Sequence, residues 1–263
     1  MKLLIPRAVA MVALAASIPL PSLASDARVL MSESERRLRA ADESATYTME
    51  MYEGPKRVHV RELVRLEKHG EDRSLTFVRF VSPVSVKNVS LLIEDKGEAF
   101  NNIWTYTPAT KSLRRLAGSQ KQNWFMGTDF TYEDFEGYKL GSYAFTQLET
   151  GLPCLKWPKC VVVEAVPTAA GEVHASGYTR KRYHLEATTL FPVLIEYFRP
   201  SGPVKRLETE GLQRHGSVTR ATAQVMKSLD SDRSTRLVTR TVEVGKAIDP
   251  NVFTLKYLRY EQD

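Results

Sequence analysis

The sequence predicts a mainly β fold, an antiparallel sheet or barrel, and three observations carry that prediction. From Ser44 to Val244 apolar and polar residues alternate with a period of two over many short segments. Turn signals such as Asp95-Lys96-Gly97 and Pro108-Ala109-Thr110-Lys111 separate these segments at short intervals. No helical pattern stands between them, whereas an α/β fold would interpose a helix between successive strands.

The chain opens with a basic stretch, Met1 to Arg7, then the apolar run Ala8–Ala16, then small residues up to Ala24. This is the pattern of a cleaved export signal, residues 1–24, and Pro19 and Pro21 interrupt the run too early for a membrane anchor. No cysteine follows the expected cleavage site to take a lipid anchor, so residues 25–263 are expected to be a soluble, single-domain protein of the periplasm. Loss of Lys2 and Arg7 takes the formal charge from +6 to +4, since no acidic residue lies in the first 24. A weak positive balance spread over many strands is not a nucleic-acid footprint, though it suits transient contact with anionic lipid headgroups.

After the cleavage site, Asp26 is placed to cap a helix on which Leu30, Ser34, Leu38 and Ala41 recur at helical spacing. Strands follow. Tyr47, Met49 and Met51 share one face of the first; in the second, Val58, Val60, Val64 and Leu66 are expected inward against a wet face of Arg57, His59, Arg61 and Arg65. Leu75–Val81 is apolar on both sides, and Phe100, Asn102, Trp104 and Tyr106 are expected on a common face. The rhythm breaks from Ala117 to Gly141, where a polar stretch leads into the aromatic segment Trp124–Phe135; so long a connection usually covers something or carries function. Strands then resume from Tyr143 to Val244, and Asp249-Pro250 starts a short closing helical turn.

Cys154 and Cys160 are the only thiols. In an oxidising compartment they predict a disulfide, a stapled loop tip; the spacing is too wide for a redox Cys-x-x-Cys and no histidine is near for a metal. Catalytic signatures are missing. The five histidines are scattered, and there is neither a nucleophile elbow nor a phosphate loop, so no enzyme activity, cofactor or metal is expected. Asp129, Glu133, Asp134 and Glu136 match neither a calcium loop nor an identifiable acid–base pair; they are expected to cap nearby backbone or to pair with Arg114 and Arg115. A sheet with this many strands and so few helices leaves its concave face short of cover. The expected lining of an apolar cavity there is Met49, Met51, Phe77, Trp104, Tyr106, Phe125, Met126 and Phe130.

The elements Trp104-Thr105-Tyr106-Thr107-Pro108, Arg114-Arg115 and Phe125–Phe135, with Asp129, Phe130, Tyr132 and Asp134 as motif residues, resemble the outer-membrane lipoprotein-sorting protein family with its LolA-like fold. So does the close, Ile248–Thr254. The resemblance implies a half-open antiparallel β-barrel with an N-terminal helix and short lid helices over an apolar cavity. It implies a carrier of lipoprotein or lipid acyl chains, serving the outer membrane alongside an inner-membrane exporter of the resistance-nodulation-division type. The segment Trp124–Phe135 would gate the cavity. The alternative is an accessory protein that docks an exporter or an envelope assembly machine and binds no lipid.

Overall fold

The computed structural model describes residues 23–96, 101–168 and 175–260. The expected signal peptide lies outside them, apart from its last two residues, which begin helix α1 (Leu23–Leu38). Ala27, Met31 and Ser34 are fully buried on this helix, and Leu38 continues the stripe at half burial. The buried face is therefore turned by one step from the expected one: Asp26 sits in the first turn and Ala41 is exposed beyond the end. The observed stripe keeps helical spacing, with Met31 in the principal core and Leu30 on its flank.

Among the described residues, thirteen strands form one continuous antiparallel sheet. They are β1 (Asp42–Glu53), β2 (Lys56–His69), β3 (Ser74–Ser82), β4 (Ser90–Asp95), β5 (Asn102–Thr107), β6 (Ser112–Arg115), β7 (Tyr143–Cys154), β8 (Trp157–Pro167), β9 (Arg180–Glu186), β10 (Pro192–Arg199), β11 (Gly202–His215), β12 (Val218–Ser228) and β13 (Arg233–Val244). The order is β6-β5-β4-β3-β2-β1-β13-β12-β11-β10-β9-β8-β7. Two meanders are thus joined where β1 pairs with β13, and the sheet ends at β6 and β7 without closing.

That topology dictates where the connection from Leu116 to Ser142 must run. It links the two edge strands, which lie roughly 58 Å apart measured across the sheet at about 4.8 Å per strand. A chain folded into successive 3-10 turns covers the distance only if the sheet curls and the connection crosses the hollow. Phe125, Phe130 and Phe135 accordingly join the principal core with Met31 of α1 and the inward side chains Met49, Leu63, Phe80, Leu91, Ile195 and Met226.

The other face of β2–β6 carries a separate core. Phe77, Leu92 and Tyr106 pack there against Phe253 and Leu258 of the C-terminal segment, with Leu66, Trp104 and Tyr257 beside them. Asp249 accepts from Asn251 N at 3.0 Å to start the closing turn, which continues into α2 (Leu255–Leu258). Arg79, 1% exposed, fastens this segment: its Nη2 donates to the Tyr257 carbonyl at 2.7 Å, and its guanidinium lies over the rings of Phe77 and Tyr257 at 4.8 and 5.0 Å. It caps the end of α2, where carbonyls lack partners within the helix.

Cys154 and Cys160 are joined as a disulfide with Cα atoms 6.0 Å apart, closing the tip of the β7–β8 hairpin. Exchanging both for serine is expected to lower stability by about 2 kcal/mol, the chain-entropy value for so short a loop. Denaturant unfolding checks this, and an unshifted midpoint would show that the hairpin holds without its staple.

Candidate functional site

The concave face presents two kinds of surface, both built by strand alternation. On the β7–β11 side, Ala165, Lys181, Tyr197 and Lys205 stand in register across four strands and point inward among aromatic rings. Two lysines on an inward phase are expensive to bury unless each meets an anion. The connection supplies both anions. Glu133 pairs with Lys181, and Asp134 Oδ2 accepts from Lys205 Nζ at 2.6 Å. That same oxygen takes the Thr131 N–H at 2.6 Å and lies 3.0 Å from the Thr131 hydroxyl, so one carboxylate both caps a turn and binds the sheet.

Burial alone would lower both lysine pKa values, but Glu133 beside Lys181 and Asp134 beside Lys205, helped by the surrounding tyrosines, hold both above the ordinary lysine range. Lys205 Nζ is 4.7 Å from the Tyr197 ring centre and 5.4 Å from that of Tyr178. Further along the connection, Asp129 is bound to Thr235, whose hydroxyl donates at 2.7 Å, and burial raises its carboxyl pKa. Arg61 and Arg233 each donate at 2.7 Å to the carbonyls of Met126 and Gly127, where the backbone turns through positive φ. Glu136 pairs with Lys121 and Lys139, each at 3.5 Å, so the four acidic residues meet Lys181, Lys205, Thr235, Lys121 and Lys139 rather than Arg114 and Arg115. Arg114 bonds Ser112, and Arg115 binds Asn102 and covers Trp104.

Beneath the C-terminal end of α1, the β1–β4 side leaves a cavity of about 230 Å³. Its lining includes Leu38, Tyr47, Ile93, Phe191 and Ala221, but also Glu43, Arg65, Glu67, His69 and Arg220. It is therefore amphiphilic rather than purely apolar. Arg220 Nε reaches Glu43 at 2.9 and 3.0 Å, and its Nη2 caps the Leu38 carbonyl at 2.7 Å. Arg65 and Glu67 pair at 2.5 Å. Burial raises Glu67, yet Arg65, His69 and Arg220 together keep it below the usual carboxylate range. Burial also lowers His69, with Arg39 and Arg65 acting in the same direction, and pushes the Tyr47 phenol up to about 12. A second cavity of about 140 Å³ lies between Met31, Glu133, Tyr183 and Lys181; Tyr138 borders both spaces.

The residues expected to line one cavity divide between two faces. Met49, Phe125 and Phe130 are in the concave core, and Met126 packs against it. Met51 is buried opposite Thr235, the residue that holds Asp129. Phe77, Trp104 and Tyr106 face the other way, into the core under the C-terminal segment, so the expectation that they share a face with Met49 does not hold. The phase of β2 is reversed for the same reason. Leu66 packs outward under the C-terminal residues, while Leu63, Arg65 and Glu67 point inward. Pro108 opens a 3-10 turn after β5, and Tyr132 stacks edge-on against Phe125 at 5.3 Å. The inward lysines and the Glu43–Arg220 pair escaped sequence reading. Their one signal was a charge in phase with buried residues, Lys181 with Tyr183 and Leu185, and Lys205 with Leu207.

A half-barrel whose unclosed sheet is lined, among the described residues, by one helix and one crossing connection defines the class: a LolA-like fold. A family model described as "Uncharacterized protein" matches residues 72–260, more than half of the chain, and the chain belongs to that family. Among solved structures it is similar to an outer membrane lipoprotein-sorting protein domain, so assigned, from Vibrio parahaemolyticus, with a TM-score of 0.82 and 23% identity over 90% of this chain and 100% of that one. It is equally similar in shape to a DUF1329 family protein from Desulfovibrio piger, with a TM-score of 0.82 and 19% identity over 89% and 98% of the two chains. A LolA superfamily protein from Nitrosomonas europaea follows at 0.66 and 17% identity, over 88% and 98%. No curated protein matches. Among the described residues, no helix is long and apolar enough to cross a membrane.

Proposed function

We propose that this protein is a non-catalytic periplasmic carrier that holds the acyl chains of a lipid or lipoprotein on the concave face of its sheet. The observation that carries this reading is the nature of the cover. The hollow is filled by α1 and by a connection that belongs to no strand, and its deepest contribution is three phenylalanine side chains, Phe125, Phe130 and Phe135. Those rings bury the same kind of surface that an acyl chain would bury, at about 0.8 kcal/mol per CH₂. Exchange of one for the other is then close to balanced, which is what a carrier that must both load and release requires. The cavities of about 230 and 140 Å³ are smaller than the roughly 300–1,000 Å³ of ordinary ligand pockets, whereas hollows of about 350 Å³ beside Arg73 and Tyr138 and about 390 Å³ beside Leu116 and Lys121, both bordered by the connection, reach that size. Met31, Met49 and Met226 adapt to chains of varied shape.

In this reading the protein is exported through its N-terminal signal, receives cargo at the inner membrane from an exporter of the resistance-nodulation-division type, and delivers it towards the outer membrane. Native mass spectrometry and lipid extraction of protein purified from a bacterial periplasm test the carrier step. Stoichiometric acyl lipid is the expected result. Consistently empty protein would overturn the reading in favour of an accessory docking protein.

A further inference from the structure

We propose that the disulfide-closed tip of the β7–β8 hairpin is a membrane-docking surface that engages bilayers carrying anionic headgroups. The tip is a two-residue turn, Leu155-Lys156, between the paired Cys154 and Trp157. Leu155 adopts a φ of 50°, in the left-handed region that glycine and asparagine occupy most readily, and its side chain is 50% exposed. Leu152, two residues before Cys154, is 54% exposed. A turn selected for folding alone would place Gly or Asn at 155. Here a large apolar side chain occupies a strained position and is left half exposed, outside every core cluster.

The charges complete the pattern. Residues 150–160 contain Lys156 and Lys159, both exposed, and no acidic residue; the nearest one along the strand is Glu149. Lys156 Nζ donates to the Glu210 carbonyl, near enough to the Glu210 carboxylate to help lower its pKa, and lies 5.6 Å from the Trp157 ring centre. Exposed leucines, a half-buried tryptophan and flanking lysines are the composition of surfaces that sit at a bilayer interface, with apolar tips in the acyl boundary and cations among phosphates. Edge pairing with another protein's strand is disfavoured, because register shifts between Gln147 and Glu149, Thr150 and Leu152, and Leu152 and Cys154 interrupt the ladder of this edge strand.

Position gives the surface a purpose. The disulfide packs in a cluster with Phe191, Ala221 and Leu38, and these three residues also line the cavity beneath α1. Docking of the tip would therefore set the cavity beside the bilayer. That purpose rests on the carrier reading, whereas the surface itself does not.

The test is flotation of the full exported chain with vesicles of phosphatidylcholine plus phosphatidylglycerol, against phosphatidylcholine alone. The comparison includes Leu152→Ser/Leu155→Asn and Lys156→Gln/Lys159→Gln. Asparagine suits the left-handed turn, and all four side chains lie outside the cores, so circular dichroism should be unchanged in both variants. Wild type is expected to float with the anionic vesicles and to be released by salt. The leucine variant should bind about tenfold more weakly, and the lysine variant should lose its preference for phosphatidylglycerol, also about tenfold. Failure of wild type to float at low salt, or equal flotation of the variants, overturns the proposal; capture only by a membrane protein would do the same. Protein that floats but yields no bound lipid overturns the carrier reading alone.

Discussion

A Lys205→Met variant is expected to lose about 3–5 kcal/mol of stability, the usual consequence of stripping a buried charge of its partner. Lys205 is 1% exposed and binds Asp134 at 2.6 Å, so the substitution strands a carboxylate beneath the connection. Adding Asp134→Asn should restore a large part of the loss, because a buried ion pair and a well-packed neutral replacement often differ little in stability. Urea unfolding of the two single variants and the double variant measures this coupling. Additive effects would show that the pair does not hold the connection. Since the Lys205 pKa is held above the ordinary lysine value, its charged form contributes fully through the neutral range, and that contribution is lost only as pH rises through the folded-state pKa.

Arg79→Ala should cost about 3 kcal/mol and loosen the C-terminal segment before the rest of the fold. The change removes the guanidinium donor from the Tyr257 and Leu258 carbonyls, leaving them the Tyr260 N–H and the Ser90 hydroxyl, and opens a hole between Phe77 and Tyr257. Trypsin cutting after Lys256 or Arg259 reads the local effect, and urea unfolding the global one. Cleavage at the wild-type rate would mean that apolar contacts of Phe253 and Leu258 suffice to seat the segment. The outer core would then not depend on its one buried guanidinium.

Much of the architecture was legible in local patterns. Alternation located the strands, turn residues located their ends, and the cysteine spacing pointed to a bonded pair that the structure contains. The connection between Ala117 and Gly141 stood out as a covering segment because it broke the rhythm, and it does cross the hollow. The cavity residues were less legible. Trp104 and Tyr106 looked like lining because aromatic residues on one strand face signal burial, but burial is available on both faces of β2–β6.

Arg65 shows the physical limit. Hydrophobic alternation separates the two faces of a strand only when one of them is wet. In β2 the outward Leu66 is covered by residues from the far end of the chain, and the inward Arg65 and Glu67 neutralise each other in a cavity, so polarity runs against direction. Strand pattern, turns and antiparallel class follow from the order of residues, because these depend on neighbours within a few positions. Which face is concave, what fills it, and which lysines meet Glu133 and Asp134 were decided only by tertiary structure. Those outcomes depend on β1 meeting β13 and on a connection forced across the sheet from one edge to the other.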